Sequence, residues 1–403
     1  MSEEGEENQL RNLIPGLPDE IALDCLVRVP YRFHSTLKSV CHGWKDLLTH
    51  PSFLRHRKIA QKQESFVCLV QAVTTTQTAE IADSTPEKEK SQIQFSPPVY
   101  GLTVYNASAE TWHRIPSSPV LPSGIPMFCQ CVAVAGKLVL IGGWDPTTLD
   151  SVADVYVYDF IHGGGWRRGA PMSVARSFFA CAVVGPAVYV AGGHDNQKNA
   201  LRSAEVYDSD SDTWRDLPRM GEERDECQGL TCGDGRFWVV SGYGTENQGR
   251  FDSGAECFDA ARSEWTRVEG VWPFPNASPR GSCCEIPRRE GEQITRMPLP
   301  SFPSVWFVGP SSGGSMGRNQ GLREYDEKDR SWKVTVQMPD GICSSPCATG
   351  IKGGIFVIGC GGSEGGPHRF RACVLDGGSR KWAHVDTPGE FSGFVYSASS
   401  ISL

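Results

Sequence analysis

The chain has 403 residues, more than one ordinary domain, and its 44 glycines and 27 prolines indicate a folded protein rich in turns. A net charge of −8, with no lysine or arginine cluster to offset it, argues against nucleic acid as a partner. The acidic first residues do not resemble a signal peptide, and no apolar run approaches membrane-spanning length. We therefore expect a soluble protein of the cytoplasm, the nucleus or both, with no membrane partner.

The cysteine content gives a second constraint on the class of protein. Fifteen cysteines are an odd number, many lie inside strand-like runs, and no C-x2-C pair occurs. Zinc sites and disulfide frameworks in small proteins need regular spacings that are missing here. We interpret these cysteines as reduced, buried hydrophobic residues, and we expect neither a metal nor a cofactor.

The chain begins with an acidic tail, residues 1–9, that we expect to be disordered, followed by a helical domain over residues 10–57. Asp19 and Glu20 follow Leu17-Pro18 and are suited to a helix start. The helical periodicity is carried by two apolar runs, Ile21, Leu23, Cys25 and Leu26, then Leu37, Val40, Cys41, Trp44, Leu47 and Leu48. His50-Pro51 ends the second run, because proline disfavours helix in the residue before it. About three short helices are too few for a sizeable core of their own.

Residues 65–403 contain six copies of one pattern, a hydrophobic strand that ends in an aromatic residue and Asp, or a near variant, followed by a tryptophan. The copies are Tyr105-Asn106…Trp112, Tyr158-Asp159…Trp166, Tyr207-Asp208…Trp214, Phe258-Asp259…Trp265, Tyr325-Asp326…Trp332 and Leu375-Asp376…Trp382. The tryptophans recur every 48 to 67 residues, which is the period of propeller blades. The repeat predicts a six-bladed all-β propeller whose tryptophans lie between blades rather than in a ligand site.

Each repeat opens with an apolar strand that usually leads into glycine, such as Leu138–Gly143 and Val188–Gly193, whereas the first copy, Phe66–Val73, lacks the glycine pair. Near-continuous apolar character predicts that these strands lie near the propeller axis. Runs such as Phe178–Val184 are assigned as the fourth strand of the preceding blade, and Gly393–Leu403 takes that place in the last copy. Six blades then fit with no strand exchanged between the chain ends. The polar segment 74–98 predicts a flexible surface insertion.

The repeat resembles the kelch motif, and residues 10–57 resemble an F-box through Leu17-Pro18-Asp19-Glu20-Ile21, Leu26…Val29-Pro30 and Leu37…Val40-Cys41…Trp44…Leu47. Together they resemble the plant F-box/kelch-repeat family, most closely the members that direct phenylalanine ammonia-lyase or cytokinin response regulators to degradation. The resemblance implies a substrate receptor of an SCF-type ubiquitin ligase. Its F-box would bind a Skp-type adaptor, which leads to a cullin and a RING subunit, and its propeller would bind a protein substrate.

The apolar excess of the helical domain supports adaptor docking, because interface cores need aliphatic and aromatic anchors. The predicted adaptor-binding residues are Leu17, Pro18, Ile21, Leu26, Leu37, Val40 and Trp44. For Trp44 and Leu47 the periodicity does not distinguish a docking surface from an internal core.

The predicted substrate surface is one face of the propeller, where the loop after the glycine strand and the loop before the fourth strand meet. Its residues are Trp144, His194, Tyr243, Phe128, Arg176, Phe178, Arg224 and Arg280. Arg176, Arg224 and Arg280 are assigned to one equivalent position of three consecutive blades. They form either a basic arc that binds acidic or polar groups of the substrate, or structural pairs with neighbours such as Asp225 or Glu226.

Two other classes of function stay open. A kelch-type copper oxidase would need converging His, Tyr and Cys ligands, whereas the nine histidines are scattered with no metal-ligand spacing. A non-catalytic interaction scaffold with no ligase role has the same sequence features as a receptor. No catalytic constellation or phosphate-binding loop occurs, so we expect a protein that is not an enzyme.

Overall fold

A computed structural model of the chain describes residues 12–73, 99–231, 235–285, 305–309, 321–326, 329–339, 341–342, 344–361 and 369–403. The predicted acidic tail, residues 1–9, and the predicted insertion, residues 74–98, lie outside these described residues. The described chain consists of a helical domain followed by a β-propeller.

Among its described residues the helical domain has four α-helices and a short 3-10 turn, Tyr31–Phe33. The helices are α1 (Asp19–Val27), α2 (His34–Lys38), α3 (His42–Thr49) and α4 (Pro51–Ile59). Acidic Asp19 and Glu20 occupy the first turn of α1, where the helix dipole favours negative charge. Pro51 is the first residue of α4, a position at which the missing N–H costs nothing.

The second apolar run was predicted as one helix face, and the structure divides it between α2 and α3. The division is at Cys41, whose backbone is extended, with φ −159° and ψ 166°. Its Sγ atom accepts a hydrogen bond from the N–H of Trp44 at 3.4 Å and thereby caps α3. The apolar period continues across the break because both helices pack on one small core.

The described strands of the propeller form six antiparallel sheets of four strands each. The strands are β1 (Ser65–Ala72), β2 (Tyr100–Asn106), β3 (Thr111–Ile115), β4 (Gln130–Val134), β5 (Lys137–Ile141), β6 (Val155–Asp159), β7 (Gly165–Gly169), β8 (Ala180–Val184), β9 (Ala187–Ala191), β10 (Ala204–Asp208), β11 (Thr213–Leu217), β12 (Gln228–Thr231), β13 (Phe237–Val240), β14 (Ala255–Asp259), β15 (Glu264–Val268), β16 (Cys283–Glu285), β17 (Val305–Gly309), β18 (Gly321–Asp326), β19 (Ser331–Gln337), β20 (Ser344–Ile351), β21 (Gly354–Gly361), β22 (Arg369–Asp376), β23 (Trp382–Val385) and β24 (Val395–Ser402). Blade 1 is β24-β1-β2-β3, and blades 2 to 6 follow in chain order as β4–β7, β8–β11, β12–β15, β16–β19 and β20–β23.

The predicted blade boundaries were wrong by one strand. Phe178–Val184 contains β8, which pairs with β9 in blade 3 rather than with the preceding blade. A two-residue turn, Gly185-Pro186, joins β8 to β9, and a connection this short forces the two strands to be antiparallel neighbours. The innermost strands are therefore β4, β8, β12, β16, β20 and β24, which lie beside one another around the axis. The glycine strands are second from the axis, and their apolar character comes from burial between neighbouring blades.

The C-terminal strand closes the ring, which corrects the expectation that no strand is exchanged between the chain ends. β24 pairs with β1 over Ser65–Gln71, so the last residues of the chain supply the innermost strand of blade 1. Leu403 extends this pairing, because its N–H donates to the carbonyl of Glu64 at 3.0 Å and its carbonyl accepts from the N–H of Glu64 at 2.8 Å.

The repeated tryptophans lie between blades, as the repeat predicts. Five of them donate the indole N–H to a backbone carbonyl of the preceding blade or of the segment that leaves it. The pairs are Trp112 to Asp386, Trp214 to Ala170, Trp265 to Pro218, Trp332 to Val271 and Trp382 to Gln337, at 2.7 to 2.8 Å. Trp166 is the exception, since its buried Nε1 atom has no hydrogen-bond partner among the residues that the structure describes.

Candidate functional site

One end of the propeller axis carries a ring of residues with left-handed backbone conformation. Each precedes or begins the innermost strand of its blade, and the five are Phe128 (φ 58°), Phe178 (φ 56°), Glu226 (φ 50°), Gly281 (φ 69°) and Ser345 (φ 47°). We call this ring, together with the side chains it touches, the propeller mouth. Non-glycine residues adopt this conformation at a cost of about 1–2 kcal/mol each, so the mouth is a locally strained region.

The blade 2 and blade 3 side of the mouth is aromatic. The rings of Phe128 and Phe178 lie 4.8 Å apart, and the Trp144 ring lies 5.2 Å from Phe128 and 5.4 Å from Phe178. Tyr396, from the closing strand β24, lies 5.4 Å from Phe128. The structure thus brings together Phe128, Trp144 and Phe178, the three aromatic residues that the sequence predicts on this face from blades 2 and 3. It adds Tyr396, which was missed because the sequence pattern assigned β24 to the wrong blade.

A buried hydrogen-bond relay connects the mouth to blade 4. The indole N–H of Trp144 donates to Ser177 Oγ at 2.7 Å, Ser177 Oγ lies 2.8 Å from His194 Nε2, and His194 Nδ1 lies 2.9 Å from both carboxylate oxygens of Asp225. These distances match a serine-hydrolase triad. However, Ser177 has no exposed surface and already accepts the Trp144 proton, so a substrate carbonyl has no access to it. The relay fixes the relative positions of blades 2, 3 and 4.

Arg176 and Arg224 do not form the predicted basic arc. Both side chains are fully buried. Arg176 Nη2 lies 2.7 Å from Glu205 Oε1, and Arg224 Nε lies 3.0 Å from Glu256 Oε1. The alternative, structural pairing, therefore describes these two arginines. Their closest carboxylates, however, belong to the third strand of the same blade and are not Asp225 or Glu226. Buried charges need such partners because desolvation is costly.

Arg280 differs from the other two arginines because its register is shifted by one residue. Arg176 and Arg224 lie two positions before the left-handed residue of their blades, whereas Arg280 directly precedes Gly281. Its guanidinium carbon lies 4.6 Å from the centroid of the Phe178 ring, on the blade next but one. Arg280 therefore extends across the mouth.

Charged and polar side chains complete the mouth on blades 3 and 4. Lys198 Nζ lies 3.7 Å from the centroid of the Trp144 ring and 3.2 Å from His194 Nε2, and burial lowers the pKa of this lysine. Tyr243 donates its hydroxyl proton to Glu226 at 3.0 Å, and burial raises the pKa of that phenol. Beyond Tyr243 an open groove of about 730 Å³ lies between blades 3 and 4, lined among others by Glu223, Thr245, Arg250 and Phe251.

The helical domain has an apolar surface of its own. The exposed fractions are 40% for Leu17, 52% for Ile21 and 58% for Val40, and Pro18 is also exposed. Phe33, 44% exposed, is a further member that sequence periodicity missed because it lies in the short 3-10 turn. We call these five residues the apolar helical surface.

The remaining predicted adaptor-binding residues lie partly or wholly inside. Leu26 is 2% exposed and belongs to the helical core with Leu47, so its assignment to a docking surface was wrong. Leu37 and Trp44 are half-buried against the same core. Trp44 also donates its indole N–H to the carbonyl of Leu13 at 2.7 Å, which holds the chain before α1 against α3.

Comparisons with known proteins agree with this two-part architecture. Residues 14–56 match the F-box domain model, and residues 94–288 match the model of the KLHDC2/KLHL20/DRC7 Kelch-repeats domain. The F-box/kelch-repeat protein SKIP20 of Arabidopsis thaliana is 44% identical, covering 97% of this chain and 96% of that protein. The chain belongs to the F-box/kelch-repeat family. Two further Arabidopsis relatives, the F-box/kelch-repeat proteins At2g44130 and At1g15670, are 43% and 31% identical over 98% and 95% of this chain and 97% of each protein.

The F-box joins the kelch propeller through a charged contact that sequence reasoning missed. Glu64 Oε2 accepts from Arg57 Nη2 at 3.2 Å and from the backbone N–H of Tyr31, while its Oε1 accepts from Asn106 Nδ2 at 3.0 Å. Tyr31 also donates its hydroxyl proton to the carbonyl of Phe160 at 2.9 Å. We call these residues the F-box joint. It connects the F-box to blades 1 and 2 of the propeller.

No group of three or more His, Cys, Asp or Glu among the described residues is placed to hold a metal ion. None of the described helices is long and apolar enough to cross a membrane. Most of the described cysteines lie in the core, and burial raises the pKa of the Cys68 and Cys129 thiols to about 12.

Proposed function

We propose that this chain is the substrate receptor of an SCF-type ubiquitin ligase. Its F-box binds a Skp-type adaptor, through which a cullin and a RING subunit are recruited, and its kelch propeller captures a protein for ubiquitination and proteasomal degradation. The observation that carries this proposal is the apolar helical surface of an F-box that is joined directly to a propeller.

The apolar helical surface leaves apolar side chains in contact with water. Ile21 and Val40 are more than half exposed although the helical core beside them is fully packed. Side chains of this kind are the usual anchors of a protein interface, and each truncated anchor costs about 1–2 kcal/mol of binding free energy. An adaptor that covers both residues would remove this apolar surface from water.

The proposal also covers the identity of the substrate and the subcellular location of the protein. We propose phenylalanine ammonia-lyase, and with it control of phenylpropanoid metabolism, as a first candidate, and a cytokinin response regulator as a second. Support comes from the resemblance described above and from the plant origin of the relatives. A receptor for such substrates would act in the cytoplasm, the nucleus or both.

The adaptor surface can be tested with the full-length chain expressed in plant cells. In the double variant Ile21→Asp/Val40→Asp, two buried charges would oppose docking, and we expect the adaptor and the cullin to be lost from the affinity-purified chain. The expected loss is about 3 kcal/mol or more, a factor of about 100 in Kd. Leu149→Asp is the matched control, since Leu149 is also 52% exposed but lies on the propeller.

The same experiment separates the proposed receptor from a scaffold with no ligase role. Recovery of adaptor and cullin with the wild type and the Leu149→Asp chain, but not with the double variant, supports the receptor. Absence of both subunits from the wild-type purification would favour the scaffold. Equal recovery with all three chains would show that the apolar helical surface does not bind the adaptor.

A further inference from the structure

Arg280 is a cation at the mouth that forms no close ion pair with the residues that the structure describes. Among them no carboxylate lies within 4 Å of its guanidinium, and its Nη1 atom, shielded from water, has no hydrogen-bond partner there. The side chain lies over the Phe178 ring, which compensates only part of the lost hydration. Burial lowers the pKa of Arg280, and the nearby carboxylates of Glu226 and Asp225 oppose this effect. A guanidinium with no close carboxylate gains free energy when an anion binds to it.

The two buried arginines show what a structural arginine looks like in this propeller. Arg176 and Arg224 each pair with a carboxylate on the third strand of the same blade, two residues before the aromatic residue of the aromatic-Asp pair: Glu205 before Tyr207 and Glu256 before Phe258. In blade 5 the corresponding residue before Tyr325 is Arg323. Blade 5 thus has no acid at the position that pairs with an arginine in blades 3 and 4.

Backbone conformation shapes the mouth. Gly281 occupies the left-handed position in blade 5, and Ser345 holds it in blade 6. Blades 2, 3 and 4 hold Phe128, Phe178 and Glu226 at this position. Because the position recurs in consecutive blades, it is a feature of the fold. Its local result is that the rings of Phe128 and Phe178 lie 4.8 Å apart, with Arg280 over Phe178.

We propose that Arg280 binds the carboxylate of an acidic side chain in a substrate peptide, with a neighbouring apolar side chain of that peptide packed on Phe128 and Phe178. This inference rests on the proposed receptor role of the propeller and specifies the peptide that it captures. Because Nη1 is shielded from solvent, the guanidinium offers its Nε and Nη2 groups as the two parallel donors to the carboxylate. The groove beyond Tyr243 has room for the flanking residues.

The charge of the mouth favours a carboxylate over a phosphate. Glu226, which accepts the hydroxyl proton of Tyr243, and Asp225 both lie near Arg280, so a dianionic phosphate would meet one guanidinium and two carboxylates. A carboxylate carries a single charge and is repelled less by these two groups. Lys198 is held against Trp144 and His194.

The test uses the full-length chain in complex with its adaptor and a phage-displayed library of random dodecapeptides with blocked C-termini. We expect selection on the wild-type complex to enrich Asp or Glu next to an apolar residue. The consensus peptide is then synthesised in four forms, with the acidic residue kept, changed to its amide, changed to phosphoserine, or changed to its amide with a free C-terminal carboxylate. Fluorescence anisotropy gives the Kd of each form.

Three variants and one control assign the effect to the mouth. Arg280→Met should weaken binding of the acidic peptide about tenfold or more and remove its advantage over the amide form. Arg280→Lys should restore part of that advantage, because the charge is kept and the two-pronged geometry is lost. Glu226→Gln, which keeps an acceptor for Tyr243, should tighten binding. Arg262→Met, at an exposed arginine of a strand turn in blade 4, should change nothing.

Each other outcome overturns the proposal. Equal binding of the acidic and amide peptides by the wild type, or an unchanged preference in Arg280→Met, shows that Arg280 binds no carboxylate. If the phosphoserine peptide binds more tightly than the acidic one, the mouth recognises a phosphate and not a carboxylate. If the peptide with the free C-terminus binds more tightly, the recognised carboxylate is that of a chain end and not of a side chain. Adaptor binding is measured in the same preparations, so failure at the mouth is distinguishable from failure of the proposed ligase role.

Discussion

At the scale of single residues, the environment of a side chain decides between a structural and a binding role. Arg224 and Arg280 are both arginines in loops that lead to an innermost strand, yet one is enclosed with Glu256 and the other lies over Phe178. Breaking a buried pair is costly because the remaining charge stays desolvated, whereas an exposed pair contributes little. The two kinds of arginine should therefore respond differently to the same substitution.

Arg224→Met should lower the free energy of unfolding by about 3–5 kcal/mol, because the Glu256 carboxylate, 2% exposed, loses its charged partner. Arg168→Met is the matched control, since its pair with Asp154 at 2.5 Å lies at the surface, with 64% of the Arg168 side chain exposed. Urea unfolding followed by tryptophan fluorescence measures both. A loss in Arg224→Met no larger than that in Arg168→Met would contradict the structural role.

At the scale of elements, the F-box joint ties four helices to the propeller by a few polar contacts. Arg57, 1% exposed, donates to the carbonyls of Val27 and Val29 at 2.9 and 2.6 Å, and its Nη1 lies 3.2 Å from His34 Nε2. Burial, and secondarily the charge of Arg57, lowers the pKa of His34 to about 4. A neutral His34 is therefore part of the folded joint.

The joint should weaken in acid. An unfolded histidine titrates near pH 6.5, so between about pH 6.5 and pH 4 the unfolded chain binds more protons than the folded one, and stability falls as the pH falls. The difference between a pKa of about 4 and one of 6.5 corresponds to about 3 kcal/mol, lost across that window. In His34→Gln this part of the pH dependence should disappear. Unfolding midpoints at pH 7.0, 5.5 and 4.5 for both chains test it, and parallel curves would refute the assignment.

Sequence patterns predicted the elements that repeat and failed where the structure depends on long-range pairing. The aromatic-Asp and tryptophan period predicted the propeller and the wedge role of Trp214 because every blade needs the same contact. The place of β24 was missed because its pairing partner, β1, lies at the other end of the chain. Such a distant pairing leaves no local signal at Ser397 or Ile401.

In the candidate site, the sequence correctly predicted that the aromatic residues of blades 2 and 3 meet. Arg176 and Arg280 were treated as equivalent because the one-residue register shift is visible only in the backbone.

At the scale of the whole molecule, ring closure and F-box attachment depend on one sheet. β24 is the innermost strand of blade 1, and the residue just before β1, Glu64, pairs with Leu403 through its backbone and with Arg57 through its side chain. Tyr396 of the same strand stands at the mouth. The C-terminal segment thus contacts the F-box joint at one end of the axis and the candidate substrate site at the other.

A chain that ends at Ser392 should fail to close. It would lose the buried side chains of Val395, Ile401 and Leu403 and leave β1 with an unpaired edge at the axis. Exposed strand edges promote association, so we expect a lower unfolding midpoint and oligomers in size-exclusion chromatography.

A synthetic peptide of residues 393–403, added to the truncated chain, should pair with β1 and restore a monomer. The same peptide with Ser397 and Ser399 replaced by proline is the control, because proline removes the N–H groups that the β1 pairing needs. If the truncated chain were monomeric and as stable as the full chain without any peptide, β24 would not be the strand that closes the propeller.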